Sequence, residues 1–373
     1  MPAPLFRPAI DLLTSYRPTE GVYGTAAPMR PLSANETPYD PLPGTVEAIA
    51  AVGATVHRYP DPGCGELTRA IARVHGIGPN RVLVGAGSVA LLQALFQAVG
   101  EPGGEVVYAW RSFELYPALA ELAGLRSVQV PLAGATHDLR AMAGSTTDDT
   151  RLVVVCNPNN PTGTMVTQEQ LRAFLASVPS TCLIALDEAY VEYARTPDPA
   201  SAVGLCEAYP NLVVLRTFSK AYGLAGLRVG YLLGSADVVA QLGKVCLAYA
   251  VNAVAQRAAE AALGLRDELS QRVDATVAER TRVRDTLLGR GWPVPDAQGN
   301  FLWLPLGSAS ADFGGWCASR HIAVRTFPGE GVRVSVGSAE DNDAFLAATA
   351  DWGDGSGVFA REHSGETVTV VKR

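Results

Sequence analysis

An α/β fold is predicted for this chain: a mostly parallel sheet covered by helices on both faces, with a small α+β C-terminal domain. Three observations predict it. Short apolar runs bounded by turn residues, Arg151–Cys156, Thr181–Leu186 and Leu212–Thr217, suit strands buried on both faces. Helix-like stretches alternate with such runs over about 150 residues, the pattern of a doubly covered sheet. Near residue 265 the texture then changes to a long, charged helix former, Leu265–Leu288, read as the connector into the second domain.

Residues 1 to about 45 are rich in Pro, Gly, Thr and Ala and read as an irregular arm, either crossing to a partner subunit or simply frayed. The large domain is assigned to 46–265. In it Glu66–His75 reads as a helix, Val82–Val84 as a brief strand, and Ser88–Val99 as an apolar helix opened by Gly85, Gly87 and Ser88. Val106–Ala109, Leu115–Ala123 and Val128–Pro131 read as strand, helix and strand. Gln168–Ser177 and Val238–Leu247 fit helices between the buried runs. The small domain, 266–350 with part of the N-terminal arm, carries candidate strands Phe301–Pro305, Ala323–Thr326 and Val332–Val336. In the tail, 351–373, Thr367–Val371 alternates as an edge strand or appended arm would.

Composition narrows the function. The chain has 373 residues, 48% hydrophobic, 18% charged and 7% aromatic, enough for a deep core and an enclosed site. Thirty basic against thirty-seven acidic side chains give −7, so there is no global basic field for nucleic acid or an anionic bilayer. The six cysteines (Cys64, Cys156, Cys182, Cys206, Cys246, Cys317) are scattered, without a C-x-x-C pair. That argues against a zinc site or a disulfide framework and for a reducing compartment. Met1–Ile10 lacks the apolar stretch of a secretory signal, and no segment approaches the roughly 18 apolar residues of a membrane span. A cytoplasmic enzyme without a metal is expected.

Five strings carry chemistry. Thr217-Phe218-Ser219-Lys220 follows a buried strand, and Arg228 comes eight residues after the lysine. Desolvation there would free the amine as a nucleophile toward an aldehyde, with the hydroxyls and Arg228 holding a phosphate beside it. A lysine after a strand can equally be an exposed loop residue. Asp187, in Leu186-Asp187-Glu188-Ala189-Tyr190, ends another buried strand, where open α/β sheets place ligands. It can pair with a protonated ring nitrogen or cap the next helix, and Tyr190 could donate to the same ring. Asn157-Pro158-Asn159-Asn160-Pro161-Thr162-Gly163 locks its backbone with two X-Pro steps and presents amide donors. Gly85-Ala86-Gly87-Ser88 leaves free N–H groups at a helix start, which suits an anion, although a lone G-x-G is a common turn. Phe113, in Trp110-Arg111-Ser112-Phe113-Glu114-Leu115-Tyr116, can stack on a flat ring or sit in the core.

Taken in order, these strings and Val332-Arg333-Val334-Ser335-Val336-Gly337 resemble the fold-type I pyridoxal-phosphate aminotransferases of classes I and II, in the histidinol-phosphate aminotransferase-like branch. The likeness runs from Leu32-Ser33-Ala34-Asn35-Glu36-Thr37-Pro38-Tyr39 to about Thr349. It implies that Lys220 joins the cofactor aldehyde covalently and then shuttles the proton between substrate Cα and cofactor C4′. It further implies Asp187 on the pyridine nitrogen, Tyr190 and Asn160 on the phenolic oxygen, and Phe113 over the ring. Gly87, Ser88, Thr217, Ser219 and Arg228 would hold the phosphate. Tyr59 would reach the phosphate of a neighbouring subunit, so a homodimer with shared sites is implied. Arg333 would clamp a substrate carboxylate, and Tyr16, Asn35 and Arg325 would line the rest of the pocket.

Trp110–Tyr116 and Gly87-Ser88-Val89 look more like the aromatic (phenylalanine-type) members of this branch than the histidinol-phosphate enzymes, which more often carry an acidic pair after the Gly-Ala turn. The expected reaction moves an amino group between an aromatic amino acid and 2-oxoglutarate in ping-pong order. Histidinol phosphate or a specialised biosynthetic substrate is the alternative. More remote are a phosphothreonine-type decarboxylase and a cofactor-sensing regulator, the latter needing a fused basic module for which the arm is too short. Lys244–Asn252 lacks the Pro-Phe step common in relatives, which points to Tyr249 or Asn252 as residues that reshape the pocket.

Overall fold

A computed structural model describes residues 7–13, 29–196 and 202–356. Tyr16 and the alternating Thr367–Val371 lie outside the described residues.

The strands of the large sheet are β2 (Val82–Gly85), β3 (Glu105–Trp110), β4 (Arg126–Pro131), β5 (Thr150–Cys156), β6 (Leu183–Asp187), β7 (Leu212–Thr217) and β8 (Gly230–Leu233). Their spatial order is β2-β8-β7-β6-β5-β3-β4. The run from β7 to β4 is parallel, whereas β8 is antiparallel to both neighbours. Leu152–Val155 and Leu212–Leu215 are completely buried, because helices cover both faces.

Those helices are α1 (Thr45–Val52), α2 (Gly65–His75), α3 (Ser88–Val99), α4 (Tyr116–Ala123), α5 (Leu139–Gly144), α6 (Gln168–Ser177), α7 (Ala236–Gly243) and α8 (Ala253–Leu263). One face packs on Leu67, Ile71, Phe174 and Ala258, the other on Leu91, Leu95, Phe96 and Tyr116. α6 starts where a capping box forms, Thr167 and Gln170 each bonding the other's backbone N–H.

α9 (Arg266–Gly289) leads into a second sheet of order β1-β10-β11-β9, built from β1 (Arg30–Leu32), β9 (Phe301–Leu304), β10 (Ile322–Phe327) and β11 (Gly331–Ser335). With α10 (Ser310–Ala318) and α11 (Ala339–Ser356) it encloses its own core around Leu302, Phe313, Val334 and Phe345. The buried Arg280 of α9 ties the two regions, donating to the carbonyl oxygens of Tyr193 at 3.0 Å and Gly299 at 2.8 Å.

Several elements differ from the sequence expectation. The helix expected over Val238–Leu247 ends at Gly243, and the strand expected from Thr181 begins at Leu183. Arg30–Leu32, inside the supposedly irregular arm, is a strand, because pairing parallel to β10 satisfies its backbone and buries Leu32. β8 escaped the pattern because Gly230 interrupts its apolar run. A Cβ at Gly230 would sit 2.7 Å from the Ser88 nitrogen, so the glycine lets the start of α3 approach the sheet.

Candidate active site

The site lies at the C-terminal ends of β5, β6 and β7, where Asn157–Gly163, Asp187 and Thr217–Lys220 leave the sheet. At one end Gly87 has φ +84°, and a Cβ there would lie 2.5 Å from the Arg228 guanidinium. Only glycine therefore lets that guanidinium close over the start of α3. Arg228 donates to Ser219 Oγ at 3.2 Å and to the Ala225 carbonyl at 2.9 Å. Thr217 Oγ1 accepts from the Ser219 amide at 3.1 Å, which orients both hydroxyls. No side chain caps α3, so Gly87, Ser88, Ser219 and Arg228 bound a cup of N–H, hydroxyl and guanidinium donors suited to an anion.

Next to the cup lies a buried carboxylate. Asp187 Oδ2 accepts from the Tyr116 hydroxyl at 2.9 Å, while Oδ1 is buried with no hydrogen-bond partner of normal geometry. Burial pushes its pKa up to about 6, against the lowering effect of the Tyr116 bond. Asp187 caps no helix, so the capping alternative fails. Phe113 stands half-buried against Tyr116, ring centroids 5.6 Å apart at 83°. The Tyr190 hydroxyl accepts from Asn35 Nδ2 at 3.0 Å and Asn160 Nδ2 at 3.4 Å. With both amides directed at the oxygen, its proton is left to donate elsewhere.

The Lys220 amine lies 5.9 Å from the centre of the Tyr190 ring and donates to the Ala34 carbonyl at 2.9 Å. Burial, reinforced by the Arg333 charge, pushes its pKa down to about 7. Arg333, on β11, donates to Asn160 Oδ1 at 2.7 Å and to the Ser33 carbonyl. Asn35 is held from three sides: Ser335 Oγ accepts from its amide at 2.8 Å and donates to its Oδ1 at 2.9 Å, and Asn300 donates to its carbonyl. Arg325, the Cα partner of Arg333 across β10 and β11, donates to Glu114 Oε2 at 2.7 Å.

The expected residues thus converge, with exceptions. Tyr59 is 83% exposed and packs on Tyr249, ring centroids 4.8 Å apart, far out on the surface of the single chain. Asn252 caps α8, accepting from Ala255 at 2.8 Å, and is not a pocket residue as the sequence suggested. Tyr16 lies outside the described residues. A groove of about 790 Å³ between α5 and α6, lined by His137, Arg140, Gln170 and Phe174, shares no residue with the Lys220 set.

Sequence reasoning missed the supports. Tyr116 was readable as Phe113 plus three, one turn on and able to reach the same place. Asn159 Oδ1 accepts from Ser112 at 2.7 Å and lies 3.0 Å from His137 Nε2, while its amide donates to Thr162 and to the Arg111 carbonyl. Behind the site, Arg216 grips the fully buried Glu188 Oε2 with two nitrogens. Nothing local in the sequence announces either network, since each joins segments far apart in the chain. Among the described residues no His, Cys, Asp and Glu cluster is suited to a metal ion, and no helix is long and apolar enough to cross a membrane.

Comparison with known proteins agrees with this geometry. The family model for aminotransferase class I and II matches residues 27–348. An aromatic amino acid aminotransferase of Thermobifida fusca is 52% identical over 92% of this chain and 96% of its own length. One from Streptomyces coelicolor is 46% identical over 94% and 98%. Among solved structures, histidinol-phosphate aminotransferase from Sinorhizobium meliloti, in complex with pyridoxal-5'-phosphate, superposes with a TM-score of 0.85 at 28% identity, covering 93% of this chain and 96% of that one. With a part-buried lysine, a buried aspartate and a donor-lined cup at the strand ends, and a family match over most of its length, the chain belongs to the class I and II aminotransferases.

Proposed function

We propose that this aminotransferase uses pyridoxal 5'-phosphate to move an amino group between an aromatic amino acid and 2-oxoglutarate in ping-pong order. One observation carries the cofactor reading: a lysine amine with its pKa lowered to about 7 lies in the same site as a buried aspartate whose second oxygen has no hydrogen-bond partner of normal geometry. The residues fit the group. The Asp187 Oδ1 would take a ring N–H, and the Gly87–Arg228 cup, which a Cβ would fill, would take the phosphate. The aromatic reading is supported by the names of relatives 46–52% identical to this chain and by Gly87-Ser88 in place of an acidic pair.

When bound, the cofactor supplies an aldehyde and an electron-withdrawing ring. Everything else falls to the chain. Lys220 would hold the aldehyde, and its amine, with a pKa lowered to about 7, would take and return the proton at substrate Cα. Asp187 keeps the ring nitrogen protonated, and Tyr190 with Asn160 hydrogen-bonds the phenolic oxygen. Phe113 covers the ring. Thr217, Ser219, Arg228, Gly87 and Ser88 anchor the phosphate. Arg333 orients the substrate carboxylate, and Asn35 and Arg325 shape the pocket around it.

A homodimer belongs to the proposal. Val56, Tyr59 and Leu247 are each more than 60% exposed, an apolar surface for a second copy whose phosphate cup Tyr59 would enter. The free, mostly buried cysteines support a cytoplasmic location.

The test is borohydride reduction of the holoenzyme followed by peptide mass mapping, which should find the adduct on Lys220. Then comes a half-reaction screen with Phe, Tyr, Trp, His and histidinol phosphate, read by absorbance. No adduct at Lys220 overturns the cofactor reading, and preference for histidinol phosphate overturns the aromatic one.

A further inference from the structure

The segment that follows β1 is held by the groups of the reacting end. Its successive carbonyl oxygens at Ser33, Ala34 and Asn35 accept from Arg333, from Lys220 at 2.9 Å and from Asn300 at 3.1 Å. Asn35 is fully buried and has φ +54°, a left-handed conformation that asparagine and glycine adopt readily. Its side chain is pinned in one orientation. The Ser335 hydroxyl accepts from the Asn35 backbone N–H at 2.8 Å, so its own proton goes to Asn35 Oδ1 at 2.9 Å. That leaves Nδ2 to donate to the Tyr190 hydroxyl at 3.0 Å. Asn160 is fixed in the same way: Arg333 occupies its Oδ1 at 2.7 Å, and its Nδ2 faces the same hydroxyl at 3.4 Å.

We infer that Asn35 is a positioning residue: its amide occupies the acceptor side of the Tyr190 hydroxyl and so aims the Tyr190 proton at the cofactor's phenolic oxygen. The inference rests on the cofactor assignment proposed above and gives Asn35 a task beyond shaping the substrate pocket. A tyrosine hydroxyl has one proton to give and two lone pairs to fill. With Asn35 and Asn160 on the lone pairs, the proton finds no acceptor on either amide and points away from both. Burial pushes the hydroxyl pKa up to about 12, with the Arg333 charge and the Asn35 bond acting the other way, so the proton is retained. Asn35 makes the shorter of the two bonds, and a hydroxyl that accepts also donates more strongly. Its own anchors are Ser335 on β11 and Asn300 just before β9, so the small sheet sets where the amide stands. A donor on the phenolic oxygen competes with the proton that this oxygen shares with the lysine–cofactor linkage. A misdirected Tyr190 therefore raises the pH at which that proton leaves.

The test is an absorbance titration of the holoenzyme in wild type and Asn35→Gly, each with Tyr190 intact and with Tyr190→Phe. Glycine keeps the left-handed backbone while removing the amide. Asn35→Gly should raise the pH midpoint of the bound cofactor's absorbance change by about half a unit. In the Tyr190→Phe background it should add nothing, because the amide then has no hydroxyl to direct. Ser335→Ala, which unpins the amide without removing it, should move the midpoint the same way by less, and it decides in place of Asn35→Gly if that variant does not fold. An unchanged midpoint, or the same shift with Phe already at position 190, overturns the inference. In carbon-labelled apoprotein the Tyr190 Cζ resonance, assigned by its loss in Tyr190→Phe, should move in Asn35→Gly, and a stationary resonance also overturns it. If wild type takes up no pyridoxal phosphate, the cofactor reading fails, while this resonance still judges the Asn35–Tyr190 bond.

Discussion

The two ends of the site are built differently. The anion cup and Lys220 come from strand ends of one mostly parallel sheet and the loops that follow them, with Gly87 at positive φ and Thr217, Ser219 and Arg228 linked by hydrogen bonds of 3.1 and 3.2 Å. The distal end is assembled from two sheets: Arg325, Arg333 and Glu330 come from the β10–β11 hairpin, while Glu114 and Arg111 come from the loop after β3. At the first end Thr217 and Ser219 are buried, Lys220 is part-buried and Arg228 stands exposed at the rim; the second end is part-buried and joined by ion pairs. Chemistry common to all substrates can sit on a rigid scaffold, whereas selection among side chains needs a surface that can rearrange.

The largest expected break of this contrast is Lys220→Ala, which should lower turnover on the order of 10⁴-fold or more by removing both the nucleophile and the proton carrier. Circular dichroism should show the fold retained, and a turnover close to wild type would refute the role. Asp187→Asn comes next, with a loss of about 10²–10³ in kcat. Because Asp187 is an ionisable group raised by burial, the apoprotein of that variant should melt no lower than wild type. A marked fall in melting temperature with normal kcat would instead make Asp187 structural.

Arg333→Ala probes the junction between the two ends. It should raise the amino-acid KM about ten- to hundredfold, since a charged hydrogen-bonding partner is lost. An unchanged KM would remove Arg333 from the carboxylate clamp. The smallest effect is a pH dependence. Lys220 is lowered from an ordinary 10.5 to about 7, so the amine is protonated and unreactive below 7 and free above it. Capture of pyridoxal phosphate by the apoprotein, followed by stopped-flow absorbance, should accelerate as pH rises through about 7 and then level off. Acceleration continuing to the ordinary lysine range would show that the amine is not desolvated.

Legibility followed the same division. Gly87, Asp187, Thr217, Ser219, Lys220 and Arg228 stand in short strings at strand ends, so local pattern was enough to locate them together. Tyr116 was half legible, as a residue one helical turn past Phe113. The Glu188–Arg216 pair, the links from Asn159 to Ser112 and His137, and the Arg325–Glu114 bridge join residues 22 to 211 positions apart, and no local periodicity encodes such partners. β8 and β1 were missed for a related reason, since each is a short segment whose strand state depends on a neighbour supplied by the rest of the chain.

By itself the sequence determined the alternation of buried strands and helices, the motif order and the position of the lysine on which the proposed chemistry rests. These depend on side-chain period and on residues adjacent in the chain. Only the tertiary structure decided which charges meet, which carboxylate oxygen is left without a donor, and how far an amine is removed from water. Pairing, orphaning and desolvation are properties of distance in space, and chain folding alone sets those distances.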